Sequence, residues 1–160
     1  MIYVECKADL LLIRMVASIS LRDIIHEGGK SEVLRRLEKQ SKAVGLIDED
    51  PWAFQPPLLK RYSVERSFKE DGIKVLRRRG KVLIVLCPRL EEWTLEAARK
   101  SGIDVVREYG LPNRGDKLHR EINLNLVKFE RLLKKLIEQG ARRVGRLKEL
   151  VIGLVKEVSP

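Results

Sequence analysis

The chain has 160 residues, 44% of them hydrophobic, enough for one packed domain with an appendage, and with only 5% aromatics that core is aliphatic. Charged residues make up 35%, a balance typical of hyperthermophile proteins, and the net charge of +10 fits either a nucleic-acid partner or a basic, solvated surface. Two cysteines outside any C-x-x-C pair exclude a zinc site, and no apolar run reaches membrane-span length or reads as a signal peptide, so a cytoplasmic protein with no membrane partner is expected.

Ile2-Tyr3-Val4-Glu5 reads as a short strand ending in an acid. Cys6-Lys7-Ala8 turns the chain, and Asp9 is placed to cap a helix running through Leu10–Ile13 to about Ser18. That helix is apolar on most faces and is expected to pack on a sheet. Ile24-Ile25-His26 is a second strand, stopped by Gly28-Gly29. Ser31 caps a helix from Glu32 to about Ser41, with Val33, Leu34 and Leu37 as its buried stripe. Ala43–Asp48 is a third strand, and its apolar run ends abruptly in Asp48-Glu49-Asp50-Pro51. The alternation of strand and helix predicts an α/β fold, a mostly parallel sheet sandwiched by helices.

Parallel sheets place ligands at the carboxyl ends of their strands. Glu5 and Asp48 lie at such ends, and along an extended chain Asp48 and Asp50 face one way while Glu49 faces the other. With the two strands side by side, Glu5, Asp48 and Asp50 converge, and an acid-x-acid pair can share one Mg²⁺ (or Mn²⁺). The plain alternative is a solvated, acid-rich turn stopped by Pro51. Two other motifs fail. Gly29-Lys30-Ser31 lacks the P-loop glycine five residues earlier, where Ile24 stands. Glu5-Cys6-Lys7 resembles the E-x-K of restriction nucleases but has no partner acid before it.

Three segments carry a resemblance. Val4-Glu5-Cys6-Lys7-Ala8-Asp9 is similar to the E-G-x-x-D opening of Toprim domains, Ile25-His26-Glu27-Gly28-Gly29 to their second strand with its glycine turn, and Leu46–Pro51 to their D-x-D. The match covers about the first third of the chain. Toprim domains occur in bacterial primases, topoisomerases, the overcoming-lysogenisation-defect nucleases and several small archaeal proteins. The resemblance implies a Toprim/Rossmann-like sheet, Glu5 as metal ligand or general acid/base, and Asp48 and Asp50 as Mg²⁺ ligands. Cys6 departs from the family's glycine, which allows close backbone approach near the acid. That departure points to the alternative of a domain that kept the fold and lost the chemistry.

Trp52-Ala53-Phe54-Gln55-Pro56-Pro57 is an aromatic, proline-broken loop beside the acids. Such residues usually pack a loop onto the core; a lid or base-stacking surface is the other reading. Arg61–Phe68 alternates only loosely. Ile73–Leu76 and Lys81–Leu86 read as strands of a hairpin around Arg77-Arg78-Arg79-Gly80, whose arginines are candidate nucleic-acid contacts or a solvated tip. Val82–Leu86 is the most strand-like run and is expected to be central. Leu90–Lys100 reads as a helix with Gly102 past its end, and Glu91 and Glu92 in its first turn favour the helix dipole. Asp104–Arg107 reads as a short strand or extended edge.

From Asp116 the pattern is helical. Ile122, Leu126, Phe129, Leu133 and Leu136, then Val144, Leu147, Val151, Leu154 and Val158 past Gln139-Gly140, predict a C-terminal hairpin of two amphipathic α-helices. From Arg120 on, ten Lys/Arg stand against five Glu, and Arg142, Arg143 and Arg146 cluster near the turn as further candidate nucleic-acid contacts. The apolar stripes need a partner, either the sheet or a second copy, and a homodimer through these helices is the expected assembly. His26 and His119 stand isolated.

Residues 1–112 are thus expected to form a Toprim-like α/β domain and residues 116–158 a basic helical hairpin. The leading functional reading is Mg²⁺-dependent phosphodiester chemistry on nucleic acid, DNA or RNA, by a nuclease. The alternative is a non-catalytic nucleic-acid-binding or assembly protein with a degenerate Toprim-like domain.

Overall fold

Side chains alternate across a strand, and three strands of this chain use both faces. In β1 (Ile2–Val4), β3 (Ala43–Asp48) and β6 (Lys81–Leu86), the residues Ile2, Val4, Val44, Leu46, Val82, Ile84 and Leu86 join one hydrophobic cluster. Tyr3, Ala43, Ile47, Leu83 and Val85 join a second cluster on the opposite face. Burial on both faces is what makes these runs continuously apolar. The computed structural model describes residues 1–160 and shows one six-stranded sheet. With β2 (Ile24–His26), β4 (Ser63–Phe68) and β5 (Ile73–Arg78), its order is β2-β1-β3-β6-β5-β4. The first four of these strands run parallel, and β5 and β4 return antiparallel at one edge. The mostly parallel α/β sheet is therefore as the sequence implies.

Helices cover the two faces unequally. Helix α2 (Lys30–Glu38) lies on the smaller cluster through Val33, Leu34 and Leu37. It sits so close to β3 that a Cβ on Gly45 would come within 3.0 Å of Val33 and 3.1 Å of Leu37, and within 2.9 Å of Leu83 on β6, so a side chain there would have to push these buried neighbours aside. The larger face carries α1 (Lys7–Ala17), α3 (Leu90–Lys100), α6 (Val127–Glu138) and α7 (Arg142–Val158), which contribute to one cluster of 35 buried residues. The apolar stripes of α6 and α7, including Phe129, Leu133, Leu136, Leu147, Val151 and Leu154, are buried there within the chain, in the same cluster as β1 and β6.

Several elements differ from the sequence expectation. Arg61–Phe68 contains a full edge strand, β4, whose residues are mostly solvent-exposed, so it shows no apolar alternation. Asp104–Arg107 is not a strand: Asp104 accepts the Arg107 backbone N–H at 3.1 Å and caps the short helix α4 (Val105–Tyr109). The helical run from Asp116 is broken at Asn125-Leu126 into α5 (Gly115–Leu124) and α6, with the Asn125 side chain accepting the Val127 N–H at 2.8 Å. Cys6, not Asp9, is the N-cap of α1, and Gly29, not Ser31, precedes α2.

The shared core yields a test of the expected boundary near residue 112. Leu147→Ala, at a fully buried position on α7, should cost about 2–5 kcal/mol. Urea unfolding followed by circular dichroism should show that loss in one transition for the whole chain. Two separate transitions, with the α/β unit unaffected, would refute the common core.

Candidate metal centre

Glu5 follows β1 and Asp48 ends β3, and the two strands are direct neighbours in parallel register, Val4 opposite Leu46. Their carboxyl ends therefore fall side by side. The Asp48 backbone N–H donates to Glu5 Oε2 at 2.6 Å. Asp50 turns back toward them with a φ of 45°, in the left-handed region that an aspartate tolerates, and its N–H donates to the Pro88 carbonyl at 2.9 Å. Ligand oxygens of Glu5, Asp48 and Asp50 all lie within 4.8 Å of one another. This partly buried triad has the geometry to hold a metal ion.

Helix N-termini organise the acids. Gly28 and Gly29, at φ 90° and 153°, turn the chain from β2 into α2. The Gly28 N–H donates to the Glu5 carbonyl at 3.0 Å, and the Lys30 N–H faces the Glu5 carboxylate. Asp48 Oδ1 accepts the Leu90 N–H at the first turn of α3, at 2.9 Å. Two free N–H ends thus point at two carboxylates, where the helix dipole favours negative charge.

Further acids stand behind the triad. Asp9, 2% exposed, reaches back from α1 to accept from the Cys6 N–H, with Oδ2 at 3.2 Å, and its Oδ1 is buried without a partner. Glu91, 5% exposed, lies 2.7 Å from His119 Nδ1 on α5, and its Oε2, 3.7 Å from Arg89 Nε, is buried without a hydrogen-bond partner. His119 Nε2 is in turn 3.2 Å from the Asn123 amide. A cavity of about 230 Å³ is lined by Glu5, Asp9, Asp48, Asp50, Glu91 and His119 among others. Neither the Glu91–His119 pair nor the burial of Asp9 is visible as a motif, since Glu91 and His119 are 28 residues apart.

The cations present are few. Lys30, 8% exposed, holds Asp50 Oδ2 at 3.4 Å, the Glu49 carbonyl at 3.1 Å and Gln55 Oε1 at 3.1 Å. Arg89 forks onto Glu92. Glu49 is turned away, as strand alternation requires, and pairs with Lys74. The acids consequently resist ionisation. Burial, then Asp9, Glu5, Glu91 and Asp50, pushes Asp48 well above the usual aspartate range. Burial and the Glu5 charge raise Asp9 to about 7. Burial also raises Glu5, against the pull of the Asp48 N–H and the Lys30 ammonium.

The candidate nucleic-acid arginines lie elsewhere. Arg77, Arg78 and Arg79 sit at the β5–β6 turn, where Lys81 pairs with Ala43, at the sheet edge opposite Asp48. Arg77 pairs with Glu65 and Glu157, each at 2.8 Å, and Arg78 with Glu38; Arg79 is exposed. Arg142 and Arg146 grip buried Asp71 at 2.9 and 3.1 Å. Arg143 is half-buried, with Nη1 donating to the Trp93 carbonyl at 3.4 Å, and burial lowers its pKa. The structure brings Glu5, Asp48 and Asp50 together and leaves all six arginines outside that cluster.

Fold and site together define an α/β protein with a carboxylate triad at the carboxyl edge of its parallel strands. Compared with protein-family models, with curated proteins and with solved structures, the chain matches none. No helix is long and apolar enough to cross a membrane.

The raised acids have a measurable consequence. Asp9 and Asp48 hold protons more tightly folded than unfolded, so their stabilisation is complete below the ordinary value near 3.8 and is lost, for Asp9, as pH rises through about 7. Melts in chelator should show Tm falling between about pH 5 and about pH 7.5, with a smaller fall in Asp48→Asn. Asn keeps an acceptor for the Leu90 N–H, whereas Asp48→Ala should lose about 1 kcal/mol at every pH. A wild-type Tm independent of pH over this range would contradict the assignment.

Proposed function

We propose that this protein is a divalent-cation-dependent enzyme of phosphodiester chemistry on nucleic acid, in the nuclease class, with Mg²⁺ or Mn²⁺ held by Glu5, Asp48 and Asp50. The observation that carries the reading is the meeting of three carboxylates within 4.8 Å at the carboxyl edge of parallel strands. An all-oxygen set of this kind suits a hard dication, and the raised pKa values of Glu5 and Asp48 mark a cluster that a dication would relieve. A cation so held polarises a phosphoryl oxygen and lowers the pKa of bound water. Glu5 sits between two backbone N–H donors and is placed to complete the ligand set or move a proton. Lys30 fixes Asp50 and the loop after β3.

The resemblance of Glu5–Asp9, Gly28-Gly29 and Asp48–Asp50 to Toprim motifs supports the same reading. On it, the chain is a Toprim-like domain closed by α6 and α7 as a helical hairpin. The Cys6 departure is accommodated locally: the residue is exposed, with Sγ 3.2 Å from Asp9 Oδ2. A homodimer through the C-terminal helices would have to use their outer faces, because the apolar stripes are buried within the chain.

A non-catalytic nucleic-acid-binding protein is the second reading, and Lys30 favours it. Its ammonium, 3.4 Å from Asp50, is a built-in counter-ion that offsets part of the cluster's charge without metal. Calorimetry with Mn²⁺ separates the two. The enzyme reading expects one saturable site in wild type, lost in Asp48→Asn/Asp50→Asn, and cleavage of a polynucleotide that stops in EDTA. Heat-free titration of wild type, with polynucleotide binding unchanged by EDTA, would establish the second reading instead.

A further inference from the structure

Aromatic residues are scarce in this chain, with two Trp, three Tyr and three Phe. Trp93, Phe129, Tyr3 and Tyr62 are all buried. Against that background Trp52 is 61% exposed and Phe54 88% exposed, and both stand on the loop that follows Asp50. The reading in which this loop packs onto the core is therefore overturned. The loop is not a loose appendage. Gln55 Nε2 donates to the carbonyls of Glu49, Asp50 and Ala53, at 3.2, 2.7 and 3.1 Å, and Gln55 Oε1 accepts from Lys30. The Ala53 N–H closes a turn onto the Asp50 carbonyl at 3.0 Å. Two apolar rings are thus held out in water on a backbone braced to a candidate metal ligand.

Trp52 is tied to the cavity. The Arg89 guanidinium stacks over the Trp52 ring at 5.3 Å, and Arg89 itself lines the 230 Å³ cavity of acids. A groove of about 550 Å³ adjoins that cavity, sharing Glu5, Cys6, Gly28 and Asn123 with it and adding Lys7, Asn125 and Leu124. Lys7 is exposed and has no carboxylate partner. A chain of phosphates passing the triad would meet Lys7 and side-chain amides in the groove, and Arg89, held by Glu92, beside the Trp52 ring.

We infer that Trp52 and Phe54 form a base-stacking platform that selects unpaired, single-stranded nucleic acid for the triad. The inference rests on the function proposed above for that triad. Aromatic faces of this kind are reached by bases that are not stacked inside a duplex, and stacking on them tolerates any base. Arg89, already over the Trp52 ring, adds a cation beside the phosphate track. Trp52 and Phe54 follow Asp50 by two and four residues, so the platform continues the segment that carries two of the three acids.

Trp52 reports directly, since the other tryptophan, Trp93, is 0% exposed. A short oligothymidylate and a mixed-sequence duplex of equal length are titrated into wild-type protein in EDTA and again in Ca²⁺. The single strand should quench Trp52 emission, and the duplex should not. Trp52→Phe should remove the signal, and Phe54→Ala should weaken single-strand binding about 5-fold or more, with an unchanged Tm because both side chains face water. Equal quenching by duplex, binding with unquenched Trp52, or no polynucleotide binding would each overturn the platform. So would a Trp52 emission that shifts with protein concentration alone, which would assign the loop to self-association. Mn²⁺ bound at the triad without stacking would sink the platform and leave the metal reading standing; stacking without Mn²⁺ binding would do the reverse.

Discussion

The Asp48 main chain and side chain act in two directions at once. Its N–H donates to Glu5 Oε2 at 2.6 Å, and its Oδ1 accepts the Leu90 N–H at 2.9 Å. The first bond ties the end of β3 to the end of β1; the second ties β3 to the start of α3 on the larger face. Parallel strands leave their carboxyl ends without a hairpin to close them, so side chains must close this edge. Here they are acids, drawn in by free helix N–H groups. The arrangement that completes the backbone hydrogen bonding is therefore the same one that concentrates negative charge. Stability and the geometry of the acidic triad arise from one set of contacts, and for that reason removing the Asp48 carboxylate also removes a structural hydrogen bond.

Closing the strand ends accounts for Glu5 and Asp48 but not for every acid around them. Asp9 Oδ1 and Glu91 Oε2 are buried without hydrogen-bond partners, and a buried oxygen that accepts no hydrogen bond is costly. Lys30 offsets only Asp50 among the triad at close range. Arg89 is drawn mostly to Glu92, 2.7 Å away, against 3.7 Å for Glu91. A cluster built for stability alone would carry fewer acids or more cations. Carboxylates with raised pKa values lining a cavity are candidates for a functional site, which is why the triad outweighs the arginine clusters as the centre of the functional reading.

Much of this edge was legible in the sequence, because an apolar strand that stops in acids carries both its burial and its direction in a few residues. Ile2–Glu5 and Ala43–Asp48 needed only to be neighbours for Glu5, Asp48 and Asp50 to meet. The rest was hidden for definite reasons. The edge strand β4 keeps most side chains in water, so Ser63–Phe68 has no buried face to announce it. The break between α5 and α6 preserves the apolar spacing of Ile122 and Leu126, so periodicity alone runs straight through it. Asp9 reads as a cap by position, yet its side chain reaches back to Cys6 and is buried behind Glu5. The Glu91–His119 contact joins α3 to α5 and has no local signature. Exposure of Trp52 and Phe54 reverses the usual fate of aromatic side chains, and composition cannot reveal it.

The basic charge divides into two kinds once its partners are known. Arg142 and Arg146 converge on buried Asp71, beside Trp93, whose Nε1 donates to the Asp71 carbonyl at 2.8 Å. These contacts fasten the start of α7 to the turn before β5, and Arg77 adds a pair with Glu157 near the end of the same helix. Arginine forks suit such anchoring, since the planar guanidinium can bridge two acceptors. Density of arginine in the sequence thus tracks how the C-terminal helix is held to the sheet. The cations nearest the triad are instead scattered singly, Lys7, Lys30 and Arg89, on three different elements. A site assembled from single residues at the ends of separate elements leaves no cluster in the sequence, and here it is the arrangement that brings positive charge to the edge where the acids lie.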